Sequence, residues 1–118
     1  MINSLMPQFD THYIQQAIVR PLAQYEIQQQ DRGELFNSIK VASMMVSGFR
    51  DILDNLNFDE EKLRQLQFNL DDNYDAVEAV VSSLKDKELK EMTEELLTDM
   101  AKLEMEIGDF ILEHTHAS

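Results

Sequence analysis

Several residue types are scarce in this chain of 118 residues, and each shortage excludes a class of structure or chemistry. Cysteine is absent, which excludes disulfides, thiolate metal sites and cysteine nucleophiles. The sequence has no basic, apolar leader and no apolar run of about 20 residues, so we expect neither a secretory signal nor a membrane span. These features predict one soluble, cytoplasmic domain over residues 1–118, with residues 1–9 and 114–118 as tails.

Basic residues are also scarce. The chain has 10 Lys+Arg against 23 Asp+Glu, a formal net charge of −13. A surface of this sign repels a phosphate backbone, so we expect no direct contact with nucleic acid. The acid serves solubility in the simplest interpretation. A functional alternative is a protein that mimics nucleic acid and occupies a basic groove on another protein.

With only three glycines and two prolines, the breaks between elements are few. Apolar residues recur at spacings of three and four, which predicts helices near residues 11–30, 32–56, 58–84 and 86–113. The short links between them predict an all-α, antiparallel up-down four-helix bundle. Pro21 falls inside the first pattern, so we expect helix 1 to be kinked or split there. The predicted helix caps are Asp10 or Thr11, Asp31, Asn57, and Ser83 or Asp86.

The third helical pattern is interrupted at Asn73, which stands where the repeat requires an apolar side chain. Its neighbours in the sequence are acidic, among them Asp72 and Asp75. Because Asn and Asp compete for backbone hydrogen bonds, this composition predicts a local break near residues 69–74.

The second helix is apolar on more than one side. Its main stripe consists of Leu35, Ile39, Ala42, Val46, Phe49, Leu53 and Leu56. A second stripe consists of Phe36, Val41, Met45 and Ile52. Gly48 lies beside these in a patch of small residues, and an interior glycine costs about 1 kcal/mol relative to alanine. Close approach of another helix, from the same chain or a second one, would offset that cost.

These features define a candidate interface on helix 2, with the helix either enclosed by the other three or covered by a second chain. We expect the second arrangement, as a symmetric dimer, since two-fold contacts are the commonest closed assembly. The acidic outer sides of helices 3 and 4 are expected to stay outside it. The residues of this candidate interface are Phe36, Val41, Met44, Met45, Gly48 and Ile52.

The segment 37–43 resembles the core of a histidine-phosphotransfer (HPt) domain. That family places a phosphorylatable histidine two residues before an apolar residue and three before a lysine, followed by glycine. Here Ile39 and Lys40 match, Asn37 stands in place of the histidine, and Val41 replaces the glycine. The resemblance implies a helical bundle that docks without transferring phosphate.

Residues with catalytic or metal-binding chemistry form no complete site in the sequence. A single Glu113-x-x-His116 motif occurs, whereas a carboxylate-bridged metal bundle needs two such motifs and two further glutamates. Most acids of helix 4 fall on its outer side, with Asp99 and Glu106 nearest the apolar stripe. We therefore expect no enzyme activity, no cofactor and no metal.

The sequence predicts a small acidic protein-interaction module, a non-catalytic regulator or adaptor that binds a protein partner and can form a homodimer. The alternatives are the nucleic-acid mimic and a docking bundle similar to an HPt domain without its histidine.

Overall fold

The computed structural model describes residues 11–28 and 31–115, and the side chains of all of these except residues 26–28. This part of the chain folds as four helices without a strand, which confirms the predicted all-α bundle. Helix α1 covers residues 11–28, α2 covers Arg32–Ile52 and is followed by a 3₁₀ turn at Leu53–Asn55, α3 covers Glu60–Val81, and α4 covers Lys87–Thr115.

Helix α1 is irregular just before Pro21. It is α-helical over Thr11–Ile14, π-helical over Gln15–Val19 and α-helical again over Arg20–Gln28. The amide of Arg20 donates to the carbonyl of Gln15, five residues back. In a regular α-helix a proline ring collides with the carbonyl four residues earlier, and a wider π turn is one way to relieve that contact. The irregularity predicted at Pro21 is thus a π turn that precedes the proline.

Aspartate side chains cap three of the helices. The predicted caps Asp31 and Asp86 are confirmed. The prediction is wrong for Asn57, because Asp59 caps α3, which begins at Glu60. Asp59 has an extended backbone (φ −140°, ψ 96°) that aims its carboxylate at the first turn. Asp10 lies outside the described residues. The three capping bonds run from the amides of Glu34, Lys62 and Leu89 to Asp31, Asp59 and Asp86, over 3.2, 3.1 and 3.1 Å.

The core is one cluster of apolar side chains to which all four helices contribute. The main stripe of α2 was predicted correctly as far as Leu53, whereas Leu56 is only half-buried. Burial of one large apolar side chain contributes about 1.5–3 kcal/mol, so this stripe holds α2 firmly in place. Its buried members are Leu35, Ile39, Ala42, Val46, Phe49 and Leu53.

Helices α1 and α4 each pack against both α2 and α3, whereas α2 and α3 do not pack side by side. Two ion pairs, Arg32 with Asp86 and Arg50 with Glu106, show that α2 and α4 are parallel neighbours. Helix α3 runs antiparallel to α4. The link over residues 53–59 therefore crosses the end of the bundle diagonally, and the neighbours are not all antiparallel as the short links had predicted.

Asn73 lies in the core, and α3 continues through it without the predicted break. Its Nδ2 donates to the carbonyl of Asn69 at 2.8 Å. Its Oδ1 is buried and has no hydrogen-bond partner in the part of the chain that the structure describes. Leu70 and Val77, buried on the same side of α3, keep the helix docked on both sides of this residue. Tertiary packing has therefore overridden the local preference of the asparagine.

Asp86 joins three helices at one end of the bundle. Its carboxylate accepts hydrogen bonds from Arg32 Nε at 2.6 Å, from Arg32 Nη2 at 3.2 Å and from the Tyr25 hydroxyl at 3.1 Å. Its side chain is only 17% exposed. The hydrogen bonds from Arg32, followed by the one from the Leu89 amide, hold the pKa of the Asp86 carboxyl well below its usual range.

Candidate functional site

Five of the six candidate interface residues lie together on the outer side of α2, around Met44. Met44 is 73% exposed, the highest value among the large apolar side chains of the described residues. Gly48, one turn further on, is exposed as well. Val41, Met45 and Ile52 border this pair and are half-buried. We call these five residues, Val41, Met44, Met45, Gly48 and Ile52, the α2 patch.

Phe36 does not belong to the α2 patch, so the predicted second stripe is not continuous. Phe36 lies five positions before Val41, which corresponds to a rotation of about 140° around the helix. Phe36 faces a groove between α2 and α4, where the guanidinium of Arg32 lies over its ring at 4.5 Å from the centroid. The same groove is lined by Lys40, Met92 and the acids Glu88, Glu91 and Glu95.

Among the described residues, Gly48 has no neighbour that would require a glycine. A Cβ atom added to it would meet nothing within 4 Å. The predicted tight packing of the small residues therefore does not occur at this position, although Ala42 is fully buried. Gly108 of α4 differs, because a Cβ there would lie 3.0 Å from Nε2 of Gln67. Of Gly48 and Gly108, only Gly108 has a close contact in the fold that a side chain would disturb.

The segment that resembles an HPt domain is divided between the core and the surface. Ile39 is fully buried, whereas Asn37 and Lys40 are exposed. Asn37 lies on the outer side of α2 close to the α2 patch, and Lys40 lines the groove beside Phe36. The position that carries the histidine in that family is thus on the surface here, but it holds an amide.

The two acids predicted to lie nearest the core edge, Asp99 and Glu106, are both half-buried. Glu106 forms a two-pronged ion pair with Arg50, at 2.8 Å from Nε and 2.9 Å from Nη2. This bond lowers the pKa of the Glu106 carboxyl. A carboxylate kept ionised by an arginine is suited to holding two helices together, not to proton transfer.

A further acidic group is formed by Asp71 and Asp75 of α3 with Glu104 of α4, and sequence reasoning missed it. Together with Gln67 and Tyr74 they line a groove between the two helices. Burial, then the charges of Asp71 and Asp75, raise the pKa of the Glu104 carboxyl. The spacing of Asp71 and Asp75 is one helical turn, but nothing local in the sequence shows that Glu104 lies opposite them.

Within the described ranges, no group of three or more His, Asp or Glu side chains is arranged to hold a metal ion. His114 was predicted to lie in a tail, yet α4 continues through Thr115. Its ring stacks on Phe58 at a centroid distance of 4.8 Å and packs against Phe110 at 4.2 Å. His116 lies outside the described residues.

None of the described helices has the length and apolar character that a membrane span requires. Comparison with known proteins finds no match to this chain among family models, curated proteins or solved structures. The class of protein that fold and surface define is therefore an acidic four-helix bundle with large apolar side chains exposed on α2, α3 and α4. Its function has to be argued from those surfaces.

Proposed function

We propose that this chain is a non-catalytic protein-interaction module that associates through the α2 patch as a symmetric homodimer. The observation that carries the proposal is the pairing of Met44, 73% exposed, with Gly48, whose Cβ position is open. The fold itself gains nothing from a glycine at that point, and the glycine weakens the helix by about 1 kcal/mol. A helix of another chain packed close to Gly48 would offset this cost.

Charge favours a second copy as the occupant of the α2 patch. Helix α2 has three basic and two acidic residues, whereas α4 has three basic and nine acidic. Two copies of an acidic chain repel each other, and the repulsion is weakest between surfaces on which positive and negative charges balance. Two copies of α2 can therefore meet where two copies of α4 cannot. Methionine also suits such a contact, because its flexible side chain adapts to irregular surfaces.

The test is the solution mass measured by light scattering, from dilute samples up to the millimolar range. We expect the wild-type mass to rise to twice the 13.7 kDa of one chain. Met44→Glu should give the mass of a single chain at every concentration, because a buried unpaired carboxylate is costly. Met105→Glu is the matched control, with the same added charge on a methionine that is 66% exposed on α4, and it should still dimerise.

A wild-type mass of one chain throughout, or equal behaviour of the two methionine variants, would exclude dimerisation through the α2 patch. Gly48→Leu gives a second check. The open space at its Cβ allows the folded chain to accept the leucine, while a close helix pair cannot. A helical circular dichroism spectrum with loss of the dimer is the expected result.

The alternative function, mimicry of nucleic acid, fits the structure less well. A charge mimic presents rows of carboxylates, but Phe68, Met105 and Leu112 are 67%, 66% and 53% exposed on the acidic helices α3 and α4. Salt distinguishes the two functions, because apolar association persists at high ionic strength and a charge mimic loses affinity. We also propose a cytoplasmic location, in keeping with the absence of cysteine.

A further inference from the structure

Helix α4 exposes an apolar stripe of its own, separate from the α2 patch. Ala101, Met105, Gly108 and Leu112 follow at spacings of four, three and four residues. This is the spacing that aligns the contact residues of paired helices along one side. Met105 and Leu112 are 66% and 53% exposed, and Ala101 is exposed as well. The stripe covers twelve residues, about 16 Å along the helix, and we call it the α4 stripe.

Within the α4 stripe, Gly108 is in contact with another helix of the chain, whereas the large side chains of Met105 and Leu112 are exposed. Gln67 of α3 lies against Gly108 and donates from Nε2 to the carbonyl of Glu104 at 3.2 Å. This contact brings α3 close to α4 and leaves Met105 and Leu112 projecting beside it. An apolar stripe rimmed by polar residues is the usual mark of a protein contact.

The rim of the α4 stripe determines the kind of partner. On the α3 side it is formed by Asp71, Asp75 and Glu104, and no basic side chain lines that groove. On the opposite side α4 exposes Asp109 and one basic residue, Lys102. Helices α3 and α4 together contain fifteen acidic and five basic residues. A second copy of this chain would bring like charges together at this surface, so it is a poor occupant.

We propose that the α4 stripe docks an amphipathic helix of a partner protein, whose apolar side chains contact Met105 and Leu112 and whose lysine or arginine side chains reach Asp71, Asp75 and Glu104. Apolar contact gives affinity, and the acidic rim selects a basic partner and speeds its approach. Burial, then the charges of Asp71 and Asp75, raise the pKa of Glu104, and a bound cation would relieve the repulsion among these three carboxylates. This surface and its occupant are distinct from the α2 patch and the dimer.

The test uses a synthetic peptide of about four helical turns, with leucines on one side at spacings of three and four and lysines beside them. The peptide is titrated into ¹⁵N-labelled protein and followed by NMR. Two matched peptides serve as controls: one has the same composition with the leucines dispersed around the helix, and the other has glutamate in place of lysine. We expect chemical-shift changes on α3 and α4 with the first peptide and no binding of the glutamate peptide.

Variants then separate the apolar contact from charge attraction. Met105→Glu adds a negative charge, so a purely electrostatic site would bind the lysine peptide more tightly. We expect about tenfold weaker binding instead, which corresponds to about 1.4 kcal/mol. Met44→Glu, with the same charge change on α2, should leave the affinity unchanged.

Three results would overturn the proposal. They are equal affinity for the dispersed-leucine peptide, shift changes centred on α2, and no binding at millimolar peptide. Each of them leaves the dimer proposal untouched, since that rests on the mass of the protein without peptide.

Discussion

Arg32 Nε donates to Asp86 Oδ2 at 2.6 Å, across 54 residues of sequence. Arg32 is the first residue of α2, and Asp86 caps α4, so this one bond fixes the starts of two parallel helices at the same level. The hydroxyl of Tyr25 shares the same oxygen and adds the last part of α1 to the junction. The register of three helices therefore depends on one carboxylate.

Replacement of that carboxylate should destabilise the fold in a pH-dependent way. Asp86→Ala removes a cap, which costs about 1 kcal/mol, and also removes the acceptor that Arg32 and Tyr25 share. Arg32 keeps only its exposed bond from Nη2 to Glu88, at 2.7 Å. The folded-state pKa of Asp86 is lowered, so its contribution is present above the unfolded value of about 3.9 and is lost as the pH falls below it. Urea unfolding at pH 7 and pH 3 measures this difference.

Asp59→Ala is the matched control, because Asp59 caps α3 through the Lys62 amide without an arginine partner among the described residues. We expect a loss of about 1 kcal/mol for Asp59→Ala and a larger one for Asp86→Ala. Equal losses at pH 7 would show that the junction adds nothing beyond capping.

Asn73→Leu should stabilise the protein. The Oδ1 of Asn73 is buried without a hydrogen-bond partner among the described residues, and such an acceptor costs about 1–3 kcal/mol. Leucine has a similar branched shape and supplies apolar contact between Leu70 and Val77. A rise in the urea midpoint without a change in slope is the expected result, and Asn73→Ala should lack this gain. A lower midpoint for the leucine variant would mean that the carbonyl oxygen is needed in the fold.

Gly48 and Gly108 should respond differently to alanine. Gly48→Ala, measured on the monomeric Met44→Glu background, should raise the free energy of unfolding by about 1 kcal/mol, because its added Cβ meets nothing. Gly108→Ala gains the same helix propensity but places a Cβ 3.0 Å from Gln67 Nε2. We expect the two effects to cancel in part, so its gain is smaller. An equal gain at both sites would contradict the close approach of Gln67.

Glu104→Gln should raise the melting temperature at neutral pH. Burial and the neighbouring charges of Asp71 and Asp75 raise the folded-state pKa of Glu104 above its unfolded value. The folded chain therefore holds this proton more tightly, and stability falls as the pH rises through the folded-state value. The amide removes that penalty, so the gain should vanish below about pH 4, where the wild-type carboxyl is protonated in both states. Glu91→Gln, an exposed glutamate on the same helix, should show no such trend.

His114→Ala should lower stability by about 0.5–1.5 kcal/mol, the usual value of an aromatic pair. The ring of His114 stacks on Phe58 and holds the link that precedes α3 against the end of α4. His114→Phe should retain the stability, and removal of residues 116–118 should leave it unchanged. Thermal melts of the three variants check these expectations. A truncation that costs as much as His114→Ala would place the contact elsewhere.

The candidate surface was predictable as far as it depends on one helix. Val41, Met44, Met45, Gly48 and Ile52 share a side of α2 because helical rotation places them there. The assignment of Phe36 to the same stripe was wrong, because helical rotation places Phe36 on the side of α2 that faces α4. Whether a neighbour covers that side is a question of tertiary structure, and only the fold shows that the Cβ position of Gly48 is open.

By itself the sequence determined what local periodicity and capping can determine. These include the four helices, the buried stripe of α2 and the caps at Asp31 and Asp86, because spacings of three and four and a cap act within one or two turns. Only the tertiary structure decided the contacts between distant residues. The Arg32–Asp86 bond, the burial of Asn73 and the meeting of Glu104 with Asp71 each join or enclose groups from separate helices. The order of helices around the bundle sets these contacts, and that order depends on how whole apolar stripes pack together, which no local spacing specifies.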